Sequence, residues 1–224
     1  MRFFLFAIVT FFCSNIDGKT SQTIYVFGDS HTFAFQNIPG CSVCHLGGIT
    51  MHRIGRDKIQ LETLPTFPTH PNPPSLKPGD AIVFATGVID NYNHIYRQKI
   101  LYGRDLDEII RTLVINYIYA LYFCFLKYPD VIKIVYNVIP PADLENAAKW
   151  GSVEEHILSA KKINSLLKTL CPLFGFEFLD VYDDYADERG ILRGDLSDEG
   201  GSHIDNYQFA SIQRKLTEIL RKYP

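Results

Sequence analysis

Short runs of apolar, largely β-branched residues recur along the chain: Thr23 to Phe27, Asp80 to Thr86, Val131 to Val138 and Phe176 to Leu179. Helical patterns fill the intervals. The stretch from Asp105 to Lys127 is apolar nearly all round in its second half, which suits a helix buried against a sheet. Ser152 and Glu155 form a capping box, a stripe of Ile157, Ala160, Ile163, Leu167 and Leu170 follows, and Pro172 marks the stop. A last helix is predicted from about Asn206, with Asp205 as its N-cap and Phe209, Ile212, Leu216 and Ile219 on one face. Strands alternating with helices predict an α/β fold with a parallel sheet covered on both faces. In such sheets ligands bind at the carboxyl ends of the strands, so the loops there are the place to look for chemistry.

With 224 residues and 46% hydrophobic content, the chain can bury a full core, and a single domain over residues 23–224 is the simplest reading. A net charge of -3 with scattered basic residues gives no footprint for nucleic acid. The amino terminus is different in kind. Arg2 precedes the apolar run FFLFAIVTFFC, and small and polar residues follow through Lys19. This reads as a secretory signal peptide over residues 1–19, hence an exported or secreted protein. The run is too short for a span of about 20 residues; an uncleaved anchor and a buried first element are the alternatives. Asn116 and the charges at both ends of 105–127 argue against a membrane span there. Residues 62–79 carry six prolines and predict a long loop.

Four cysteines follow the leader: Cys41, Cys44, Cys124 and Cys171. They allow three pairings in an oxidising compartment, or buried thiols. The stretch CSVCH, residues 41–45, matches the pattern of covalent haem attachment. An extended strand would send Cys41 and Cys44 to opposite faces, whereas a haem needs both on one side. A zinc site from Cys41, Cys44, His45 and His52 lacks a second close cysteine pair.

Function turns on YVFGDSHTFAF, residues 25–35. The apolar run stops at Gly28, expected to let the chain turn sharply, and presents Asp29, Ser30 and His31. A serine hydroxyl is a poor nucleophile until a base accepts its proton. Such a base is available in LSDEGGSHID, residues 196–205, which places His203 in a glycine-rich acidic loop before the last helix. His31 adjoins Ser30 too closely in sequence to act as that base, and is read as lining the site. Arg53 and Arg56 suit either an anionic substrate group or a solvated helix face. Residues 137–150 leave the fourth strand through two prolines as a substrate-shaping flap, in which Trp150 stacks on a sugar ring or packs.

The combination resembles the SGNH (GDSL-type) hydrolases. FGDSH matches the family's first block, HLGGIT its second, ATGVIDNYNH stands in place of the third, and SDEGGSHI in place of the fourth. The resemblance covers residues 23–224. It implies a three-layer α/β/α fold whose five-stranded parallel sheet has the flavodoxin-like order 2-1-3-4-5. It also implies a serine esterase needing no metal or organic cofactor. Carried over by position, Ser30 is the nucleophile, His203 the general base and Gly48 an oxyanion donor beside the Ser30 amide. Two departures stand out. Where the family has an oxyanion asparagine this chain has Ile89, so Asn91, Asn93 or His94 would have to substitute, with Asn91 favoured. The acid usually three residues before the histidine is here Gly200, and Asp198 is preferred over Glu199. Asp90, Tyr92, Asn93 and His94 would border the substrate. Acetyl groups on carbohydrate are the first expected substrate class, lipid acyl chains the second. The alternative is a catalytically impaired protein that binds a glycan or acylated polymer.

Overall fold

The computed structural model describes residues 22–58, 76–143 and 149–223. The leader, most of the proline-rich loop and residues 144–148 of the expected flap lie outside the described residues. Five strands form one parallel sheet: β1 (Ile24–Gly28), β2 (Cys41–His45), β3 (Ala81–Ala85), β4 (Ile132–Tyr136) and β5 (Glu177–Leu179), in the order β2-β1-β3-β4-β5. β3, at the centre, is buried along its whole length, as a strand covered on both faces must be. Its neighbours supply Val26, Phe27, Ile134 and Val135, all essentially inaccessible.

Helices complete the layers: α1 (Met51–Asp57), α2 (Tyr96–Tyr102), α3 (Leu106–Phe125), α4 (Val153–Leu173), α5 (Tyr182–Tyr185) and α6 (Ala210–Leu220). α3 packs against both α1 and α4. It is long and apolar enough to cross a membrane, but 56% of its apolar window is buried in the fold, and Ile110, Val114, Tyr117 and Ile118 face the core. The expected capping box closes on α4: Ser152 accepts from the Glu155 N–H at 3.2 Å, and Glu155 accepts from the Ser152 N–H at 3.0 Å. The last helix starts later than its sequence suggests, at Ala210. Asp205 spends its carboxylate on the N–H of Tyr207 at 2.7 Å, making a local turn where a helix cap was expected.

No disulfide joins the four cysteines among the described residues. Cys41 and Cys44 lie opposite Ile24 and Phe27 of β1, and burial pushes their thiols up to about 12 and about 11.

The order reverses between β1 and β3, and their ends are level: Gly28 pairs with both His45 and Ala85. Gly28 was expected to serve a sharp turn. It lies instead within β1, with no left-handed backbone, and its need is steric. A Cβ there would come within 1.8 Å of the Ala85 carbonyl oxygen. The next N–H, that of Asp29, donates to that same oxygen at 3.2 Å. Gly28→Ala is therefore expected to push β1 from β3 and cost about 3 kcal/mol or more, at or beyond the upper end of ordinary overpacking. A urea titration checks this: the midpoint falls while the slope is kept.

Candidate active site

Ser30 begins a 3₁₀ turn, Ser30–Phe35, immediately beyond β1. Asp29 caps the turn, its Oδ1 accepting the His31 N–H at 3.0 Å, and the Thr32 hydroxyl donates to the Asp29 carbonyl at 2.8 Å. Burial pushes the Asp29 carboxyl up to about 7, opposed by the His31 N–H and reinforced by Asp90. Ser30 is thus held at the carboxyl edge of the sheet, beside the point where the strand order reverses.

The second part of the site is a small hairpin. Ser197 and Ile204 form an antiparallel bridge, and the Asp198 N–H donates to the His203 carbonyl at 2.8 Å. Gly201 closes the tip with φ +69, its N–H donating to the Asp198 carbonyl at 2.9 Å. Across the hairpin, Asp198 Oδ1 accepts the N–H groups of Ser202 at 3.0 Å and His203 at 3.1 Å. Its Oδ2 lies 3.0 Å from His203 Nδ1. Burial alone would raise the Asp198 carboxyl, but the two N–H donors and the imidazole outweigh it and hold it below the usual carboxylate range.

His203 reaches from this hairpin to the other end of the chain: its Nε2 is 2.7 Å from Ser30 Oγ. Nδ1 also lies 2.9 Å from Ser202 Oγ. A proton on Nδ1, shared toward Asp198 and Ser202, leaves Nε2 as an acceptor for the Ser30 hydroxyl. Behind the ring stands His31, 7% exposed, its ring centroid 4.5 Å from that of His203. Burial, then His203, push His31 down to about 3, with Asp198 opposing, so His31 is a neutral wall. The expectation that it lines the substrate space is not met; it backs the imidazole.

In front of Ser30 lies a cavity of about 620 Å³, walled by Phe33 and Gln36 on one side and by Asp198, Glu199 and Asn206 on the other. Gly48 follows β2 on an exposed loop, and the Leu46 N–H donates to the Gly28 carbonyl at 2.8 Å, so this loop leaves the sheet beside Ser30.

Three expected site residues serve other contacts. Asn91 is buried, with its amide donating to the His156 carbonyl at 3.1 Å and its Oδ1 accepting from Ser159, both on α4. Asp90 is fully buried and accepts the N–H groups of Met51 at 2.7 Å and His52 at 3.1 Å, fixing the start of α1. Burial raises its carboxyl to about 7, against those N–H donors. His94 stacks on His52 with centroids 4.0 Å apart and lines a different cavity. Tyr92 accepts the Ala142 N–H at 2.7 Å, and Trp150 packs half-buried under Lys149. The sequence reading missed the contacts of Ser202 and His31 with His203. Adjacency in sequence was the only available signal, and it does not tell on which face of a ring a neighbour lies.

No protein-family model and no curated protein matches this chain. Solved structures do. A GDSL-like lipase from Bacteroides thetaiotaomicron matches with TM-score 0.55 and 13% identity, over 91% of this chain and 89% of that one. Est24, a carbohydrate acetylesterase from Sinorhizobium meliloti, matches with TM-score 0.52 and 16% identity, over 90% and 99%. The OSK domain of Drosophila Oskar, whose name carries no enzymatic activity, matches with TM-score 0.51 and 13% identity, over 87% and 86%. At such identities the likeness concerns the path of the backbone. Together with the strand order and the level ends of β1, β2 and β3, it shows that the chain has the three-layer α/β fold of the SGNH, or GDSL-type, hydrolases.

Proposed function

We propose that the chain is an exported serine hydrolase of carboxylic esters, with Ser30 as nucleophile, His203 as general base and Asp198 as the residue that orients it. The reading is carried by one observation, the 2.7 Å contact between Ser30 Oγ and His203 Nε2 from opposite ends of the sequence. In the reaction, Ser30 Oγ attacks the ester carbonyl carbon as its proton passes to Nε2. The Ser30 and Gly48 amides receive the oxyanion. Nε2 then protonates the leaving alcohol, and the same base activates water to release the acid. Asp198 keeps the proton on Nδ1 and steadies the charged ring. Export rests on the sequence of residues 1–19, outside the described residues.

Carbohydrate acetyl esters are the proposed substrates. Support comes from a cavity walled by amide and acidic side chains with one exposed ring, Phe33, and from the likeness to an acetylesterase. A second reading, an impaired protein that holds a glycan, is favoured by the third block. Ile89 stands where the asparagine donor is usual, and Asn91 is committed to α4. One missing donor slows an acyl transfer by roughly 100- to 1000-fold without abolishing it.

Assays on p-nitrophenyl acetate and an acetylated oligosaccharide separate the two readings. Ser30→Ala is expected to lower the rate by about 10⁴-fold or more and to abolish labelling by a fluorophosphonate. A wild-type protein that neither labels nor turns over would end the esterase reading. Asp198→Asn is expected to lower kcat by up to about 10⁴-fold, less than the nucleophile variant, because Ser202 also touches Nδ1.

A further inference from the structure

The cavity that takes His94 lies between α1, α2 and α3, encloses about 230 Å³, and shares no lining residue with the one at Ser30. Its polar wall brings together His52 and Arg56 from α1, His94 and Gln98 from the segment after β3, Arg104, and Thr112 and Asn116 from α3, all of them able to donate a hydrogen bond. Ile109 and Leu113 form an apolar floor. Among the described residues no carboxylate lines it.

We infer that this cavity is a binding site for a tetrahedral oxoanion of the phosphate or sulfate class. Three features converge on that ligand. First, cationic and amide donors approach from three separate elements, as a tetrahedral group with several acceptor oxygens requires. Second, the rings of His52 and His94 lie stacked, 4.0 Å between centroids at 28°. Rings lying flat on one another do not direct two lone pairs at one point, and two arginines beside them repel a cation, so a metal is poorly served. Third, the site is built before any ligand arrives. Asp90 fixes the backbone of His52. Asp57 grips Arg56 at 2.7 and 3.1 Å, and Glu108 holds Arg104 at 2.9 Å. Each guanidinium carries five N–H donors, so these contacts leave others for a ligand.

Electrostatics agrees with the geometry. His94 is held down to about 4 by burial first, then by His52, Arg104 and Arg97, while His52 is lowered by burial and Arg56 against the pull of Asp57. Burial and the neighbouring cations thus favour the neutral rings, and Arg56 and Arg104 are the charged donors that an oxoanion would meet.

Calorimetric titration of the full chain tests the inference, with sodium sulfate, inorganic phosphate, phenyl phosphate and acetate at constant ionic strength set by sodium chloride. A saturable single-site heat is expected for sulfate or phosphate, with a melting temperature that rises with ligand concentration. Arg104→Gln and Arg56→Gln, both at substantially exposed side chains, should each weaken binding by about tenfold or more, the worth of a charge-assisted hydrogen bond. Phenyl phosphate binding as tightly as the inorganic ion identifies an esterified ligand; tighter inorganic binding identifies the free ion. Absence of saturable heat for every oxoanion, equal affinity in wild type and both folded variants, or acetate binding as tightly as sulfate would each overturn it.

Discussion

Everything at the carboxyl edge of this sheet depends on how closely β1 can lie beside β3. At Gly28 the strands approach until a single methyl group would overlap the Ala85 carbonyl. That approach brings the Asp29 N–H onto the same oxygen and sets the direction in which the chain leaves the sheet. Ser30 takes its place from this departure, and so does the space beside it. Parallel sheets open a crevice where their strand order reverses. Here the crevice is floored by the level ends of β1, β2 and β3.

Two buried carboxylates brace the loops around that crevice. Asp29 holds the turn that carries Ser30, and Asp90 ties the exit of β3 to the first turn of α1. Both are pushed up to about 7 by burial and so share a feature often taken to mark catalytic acids. Their bonds to backbone N–H groups give them a plainer task. Desolvation raises a pKa wherever a carboxylate is enclosed, whatever the reason for the enclosure.

How far the sequence could be read divides along the same line. Strand and helix positions were legible because periodicity and capping chemistry are local: the box of Ser152 and Glu155 needs only four residues to declare itself. Ser30 and His203 were legible because the motifs around them resemble family blocks, while the spatial meeting of the two loops is a property of the sheet order. Asp198 was legible through the glycines that let a hairpin fold back. Asp90, Asn91 and His94 were misread for one common reason. They follow β3 closely, and within the π-helical turn Asp90–Ile95 they find partners in the backbone of α1, the backbone of α4 and the His52 ring. No composition signal gives the pitch of that turn. Gly28 was recognised as necessary for the wrong reason, since crowding from a partner strand leaves no mark on the strand that suffers it.

The acid and the imidazole that faces it are both carried by the six residues 198–203, closed by their own backbone bonds. They therefore behave as a cassette rather than as two residues gathered from distant strands. Transplanting that loop onto a related scaffold would carry the contact between Asp198 and His203 whole. Conversely, insertion of one residue between Asp198 and His203 would shift their facing and leave the rest of the molecule untouched.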